Sequence, residues 1–123
     1  SSHSTKPYTI IGVPLIAAST DEEAQYLASS VYQRVYGILT GRRGKLPPPD
    51  ADFLARLDSG GRAAIAEFLS AAVIGSPHTV RNGLQSLLAQ TQADEMMFVC
   101  DVFDPLLRLR SLEIAAQAVR TND

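Results

Sequence analysis

The chain has 123 residues, of which 46% are hydrophobic and 20% charged, with a formal net charge of −2. That is enough apolar material for the core of one domain. With no basic excess and no apolar run near the ~20 residues that span a bilayer, neither nucleic-acid binding nor membrane association is expected.

The amino terminus, Ser1 to Pro7, lacks an initiator Met and the apolar core of a signal peptide, so a processed, cut or engineered end is expected. Tyr8 to Ala17 reads as a strand. Pro14 inside it cannot donate to a ladder, which predicts a bend or pairing on one side only near that residue. Thr20-Asp21-Glu22-Glu23 is a capping box opening a helix, with three acids at the positive end of its dipole. Ala24, Leu27, Ala28, Val31, Val35 and Ile38 fall on one face of that helix, flanked by Tyr32 and Tyr36. Gly37 and Gly41 mark its end.

Residues 41–58 form a proline-rich excursion. Its Pro47-Pro48-Pro49 run favours an extended, polyproline-like path. The simplest reading is a stiff surface segment, whose Arg42, Arg43 and Lys45 either are solvated or meet a phosphate. A helix then starts at Ser59 or Gly60, carries Ile65, Phe68, Leu69 and Ala72 on one face, and is expected to end near Ile74-Gly75. Ser76 is a good N-cap and Pro77 suits the first helical position. Val80, Leu84, Leu87 and Leu88 form the next buried stripe, and Gly83 inside it suggests close packing of helix on sheet. Met96 to Val102 reads as a second strand, almost wholly apolar and therefore covered on both faces, as in a parallel α/β sheet. Asp104-Pro105 caps a last helix, with Leu106, Leu109, Leu112 or Glu113, and Ala116 on its apolar face, and the tail from Arg120 is expected to fray.

Chemistry is sparse. There is no Gly-rich dinucleotide fingerprint and no phosphate loop. His3 and His78 are the only histidines, His3 on a loose end and His78 with no ligand at metal spacing, so no metal site is expected. Ser76 lacks a nucleophile elbow and serves as a cap. Cys100 cannot form an internal disulfide, which fits a reducing, cytoplasmic setting, and its apolar strand makes it packing rather than a nucleophile. No catalytic residue is assigned.

Two main parallel strands with about four helices look like the carboxyl-terminal portion of a (β/α)8 barrel rather than a complete enzyme. The functional rim of such a barrel lies at the carboxyl ends of its strands. Asp101, Phe103 and Asp104 then fall near the rim, with Ser19 and Thr20, while Asp94 and Glu95 fall on the opposite face. Thr20 and Asp104 are accounted for as caps. Asp101 and Phe103 are the candidates for the substrate-side rim, since an acid late in an apolar strand needs a partner or water.

Pro7-Tyr8-Thr9-Ile10-Ile11-Gly12-Val13, running into Ile16-Ala17-Ala18-Ser19-Thr20-Asp21-Glu22-Glu23-Ala24, resembles the penultimate strand and helix start of the bacterial luciferase-like monooxygenases. Ile74 to Leu84 is similar to their helix before the last strand, Ala93 to Val99 to that strand, and Arg108-Leu109-Arg110-Ser111 to their final helix. The resemblance covers almost the whole chain. It implies a (β/α)8 barrel of about 300 residues or more. It also implies reduced flavin (FMN, or a deazaflavin in some members), oxygen, and a small organic substrate. The family's main phosphate contacts and catalytic histidines lie on earlier strands, so the resemblance implies a single partial domain, inactive alone. Open strand edges predict pairing with the missing amino-terminal part or with further copies. A free-standing α/β binding or assembly module acting as a homo-oligomer is the alternative.

Overall fold

The computed structural model of the chain describes residues 7–120. The expected loose ends, at His3 and beyond Arg120, lie outside them. In chain order the elements are β1 (Ile10–Ala17), α1 (Asp21–Leu39), a 3-10 turn (Leu54–Arg56), α2 (Ser59–Phe68), β2 (Val73–Gly75), α3 (Pro77–Thr91), β3 (Glu95–Val99) and α4 (Pro105–Arg120). The three strands form one parallel sheet in the order β2-β1-β3.

β1 pairs with β3 over Ile10 to Pro14 and with β2 over Leu15 to Ala17, so each stretch has one strand partner. Successive backbone groups of a strand point to opposite edges. Ala18 donates to the Gly75 carbonyl at 3.1 Å, which places the even-numbered amides on the β2 edge. Pro14 therefore lacks its N–H on an edge where β2 has not yet begun, a place that tolerates proline. The one-sided pairing expected near Pro14 is present.

Three expectations are corrected. The helix placed from Ser59 to Ile74-Gly75 stops at Phe68, and Val73–Gly75 is a third strand. Buried Val73, β-branched and paired with Leu15, outweighs the helical pattern. The last strand ends at Val99 and is covered on one face only, with Met97 61% and Val99 46% exposed. Cys100 lies beyond the strand, yet is buried as expected. In α4 the buried residues are Ser111, Ala115 and Ala118, whereas Leu106 is 77% exposed and Leu109 is exposed too. Small side chains let this helix approach the sheet closely, with Leu107, Leu112 and Ile114 packed partly buried against the cores while Leu106 and Leu109 stay in solvent. Phe68, Ile38 and Leu88 are likewise exposed rather than in their helices' buried stripes.

Two cores lie on opposite sides of the sheet. Val13, Leu15 and Ala17 of β1 and Val73 of β2 pack with Val80 and Leu84 of α3 and Ala115 and Ala118 of α4, and Met96 and Phe98 of β3 join them. Ile16 and Ala18 face Ala24, Leu27, Ala28, Val31 and Val35 of α1, with Ile65 of α2 and Cys100 and Val102 beyond β3. The connections lead to opposite edges of the sheet and their helices pack on opposite faces, the arrangement that right-handed crossovers require. Gly83 lies where a Cβ would meet Val73 Cγ1 at 3.0 Å, the close helix-to-sheet approach that its position suggested.

The excursion at 41–58 does more than run over the surface. Leu46, Phe53, Leu54 and Leu57 pack against the α1 core, and Phe53 meets Tyr36 edge-on at 6.0 Å between ring centroids. Ser29 Oγ accepts from the Asp50 amide at 2.8 Å, and Gln33 Nε2 donates to the Pro48 carbonyl at 3.0 Å.

β3 does not reach Ala17, so that end of β1 has no ladder partner on the β3 edge. Ser111 of α4 takes the strand's place. Its fully buried hydroxyl donates to the Ala17 carbonyl at 2.7 Å and accepts from the Ala17 amide at 3.1 Å. Ser111→Ala strands both backbone groups in the core. It is expected to lower unfolding free energy by about 2–3 kcal/mol in urea titration, with the m-value unchanged.

Candidate functional site

The carboxyl ends of the three strands converge on one rim, and the helices that follow them start there. Thr20 Oγ1 accepts from the Glu23 amide at 3.1 Å, Ser76 Oγ from the Thr79 amide at 3.4 Å, and Asp104 Oδ1 from the Leu106 amide at 2.9 Å. The three caps read from the sequence are all in place.

The acids near this rim are tied down by partners distant in sequence. Asp21 Oδ1 accepts from the Ser76 amide at 2.7 Å, which joins the starts of α1 and α3. Gly75 lies under this junction. A Cβ there would stand 2.5 Å from Thr79 Cγ2 and 2.7 Å from Asp21 Oδ1, so only glycine fits. Glu23, which the capping box would turn back to its helix start, takes Arg110 Nη2 of α4 at 2.8 Å and also the Ser19 backbone amide. Arg34 Nη2 of α1 meets Asp101 Oδ2 at 2.5 Å. Thus α1 is clamped by one ion pair to α4 and by another to the segment after β3. Within this layer the Ser30 hydroxyl and Arg110 Nε are buried without a hydrogen-bond partner.

Asp101 and Phe103, the two rim candidates, both lie just past β3. Asp101 finds in Arg34 the partner that a late acid requires. Phe103 is half exposed and takes no part in either core. Sequence reading missed Arg34, Glu23 and Arg110 as rim residues. Their contacts span 67 and 87 positions, and nothing in local spacing signals them.

Cys100 sits among these groups without reactive character. Burial pushes its thiol above the ordinary range, while Arg108 Nε donates to the Cys100 carbonyl at 2.9 Å. His78 is exposed, with its Nε2 at 3.1 Å from Asn82 Nδ2. Among the described residues no group of three His, Cys, Asp or Glu side chains could hold a metal. No helix among them is long and apolar enough to cross a membrane.

No protein-family model matches the chain. It is similar to YvbT of Bacillus subtilis, 39% identical over 111 residues, and to the luciferase-like monooxygenase of Escherichia coli K12, 34% identical over 110 residues. The resemblance to luciferase-like monooxygenases holds. These alignments take in 90% and 89% of this chain but 33% of either relative, so the chain spans about a third of their length. The crystal structure of apo-MsnO8 superposes with a TM-score of 0.70 at 27% identity, over 93% of this chain and 35% of that one.

Luciferase-like monooxygenases as a family imply flavin, and the rim does not fit the phosphate end of that cofactor. The amino terminus of α3, where an anion would be welcome, is closed by the Asp21 carboxylate. Glu23 and Asp101 add further negative charge there, each engaged with an arginine. The rim organises the fold around it, and no step of catalysis is assigned to its residues.

The Ser76 amide holds the Asp21 carboxyl below the ordinary range, and Arg110 does the same for Glu23. A depressed carboxyl stabilises the fold above its unfolded value of about 4, and that contribution is lost as pH falls through its folded value. Asp21→Asn should therefore be less stable than the parent chain near neutral pH. The gap in urea midpoint should narrow as pH falls below about 4 and on through the lowered folded value of Asp21, as protonation removes the parent's advantage.

Proposed function

We propose that this chain is the carboxyl-terminal wall of a (β/α)8 barrel in a flavin-dependent luciferase-like monooxygenase. Such an enzyme uses reduced flavin and oxygen on a small organic substrate, the flavin carrying the redox chemistry and the protein positioning and shielding it. The observation that carries this reading is that nine tenths of the chain aligns with only a third of a protein named for that activity.

A physical feature supports it. On the face of the sheet away from α3 and α4, the first half of β1 and all of β3 are bare: Ile10 is 54% exposed, and Met97 and Val99 are exposed beside it. Apolar side chains at this density on one sheet face call for cover. In the barrel reading β1 and β3 are neighbouring wall strands, α3 and α4 lie outside them, and the bare face is the lining of the interior. Consecutive barrel strands stand in chain order, so β2 with α1, α2 and the excursion is then an insertion folded over the barrel mouth. Asp101 and Phe103 fall at that mouth, where a substrate would enter.

The cofactor's contacts belong, on this reading, to the part of the barrel outside these residues, and the chain alone is inactive. Anaerobic titration with reduced FMN is expected to give no stoichiometric binding to the 123-residue chain. A polypeptide about three times as long that contains it should bind one equivalent. Stoichiometric binding by the short chain would place the cofactor site within it and contradict the proposal.

A further inference from the structure

α1 ends at Leu39, and the chain turns back through Gly41, whose φ of 83° suits glycine, into Arg42, Arg43, Gly44 and Lys45. This return is fixed. The Arg42 amide donates to the Gly37 carbonyl at 2.5 Å, and a Cβ at Gly37 would stand 2.7 Å from the Arg42 carbonyl oxygen. Leu46 and Phe53 then anchor the excursion on the α1 core. Between the return and the last turns of α1 lies a groove of about 310 Å³. Arg34, Arg42, Arg43 and Lys45 line it, and no acidic residue does. Arg34 is paired with Asp101, which leaves three cations around the groove with no carboxylate partner among the described residues.

Cations after a helix often serve to cap its carbonyls. Here that need is met otherwise. Tyr36 O accepts from the Thr40 amide at 3.0 Å and from the Thr40 hydroxyl at 2.8 Å, Gly37 O from the Arg42 amide, and Ile38 O from the Gly41 amide at 3.2 Å. The side chains of Arg42, Arg43 and Lys45 are therefore left over from the capping. In a chain of net charge −2, three such cations brought together by a pinned turn form a positive pocket.

We propose that this groove binds the phosphate group of a small phosphorylated ligand. Guanidinium forks match phosphate oxygens two at a time, and a lysine adds a point charge, a donor set for a phosphate monoester or diphosphate rather than a carboxylate buried in an apolar slot. The inference does not rest on the barrel reading.

The test is calorimetric titration of the 123-residue chain with inorganic pyrophosphate and, separately, with phosphatidylglycerol vesicles. Saturable binding of pyrophosphate is expected, weakening as salt rises. Arg42→Gln and Arg43→Gln should each reduce affinity by about tenfold, the loss of one charge-assisted contact, with melting temperature unchanged because both side chains are exposed. Absence of saturable pyrophosphate binding would overturn the proposal. So would undiminished affinity in the variants, or binding to vesicles alone, which would mark the patch as a membrane-surface contact.

Discussion

The end of β1 is where this fold is most exposed to failure. Ala17 sits at the centre of the molecule, fully buried, yet β3 has already ended and β2 lies on the other edge. Two backbone polar groups left unpaired there would cost several times the worth of an ordinary hydrogen bond. One serine on the last helix satisfies both. That contact fixes where α4 lies, and α4 in turn carries Arg110 to Glu23 and Arg108 to the Cys100 carbonyl. The helix whose small face reaches the sheet is thus also the one that orders the rim.

The sheet built around β1 is covered unequally. Its carboxyl half is enclosed by helices on both faces, while its amino half, with β3, is covered on one face and bare on the other. A stable isolated domain does not ordinarily leave Ile10, Met97 and Val99 together in water. On the proposed reading, the rest of a barrel closes this surface, in keeping with the one-third coverage of the relatives. The clamp of α1 by Asp101 and Arg110 gives the opposite end of the sheet a fixed roof.

Much of this organisation was legible in the residues. Caps declare themselves because their chemistry is local: Thr20, Ser76 and Asp104 each bond an amide two or three positions on. The tight packing at Gly83 and the one-sided pairing at Pro14 also follow from what those residues lack. Less legible were features decided at a distance. Val73–Gly75 is too short for a strand pattern to stand out beside a helix, and its strand state depends on Leu15 to Ala17. In α4 the expected Leu112 packs against the cores, but Leu106 and Leu109 do not, and Ser111, Ala115 and Ala118 hold the buried stripe by being small. That Asp101 needs a partner or water is legible in the sequence, but Arg34 can be named only from the fold.

The central claim is that the bare sheet face belongs to the interior of a larger barrel. The intact mass of the protein recovered from its native source, captured with an antibody to this segment, tests it most directly. The account predicts a polypeptide about three times as long as these residues, in the size range of a complete (β/α)8 barrel. A species of 13.2 kDa would contradict it and make this a small protein that closes its sheet with a partner or a second copy.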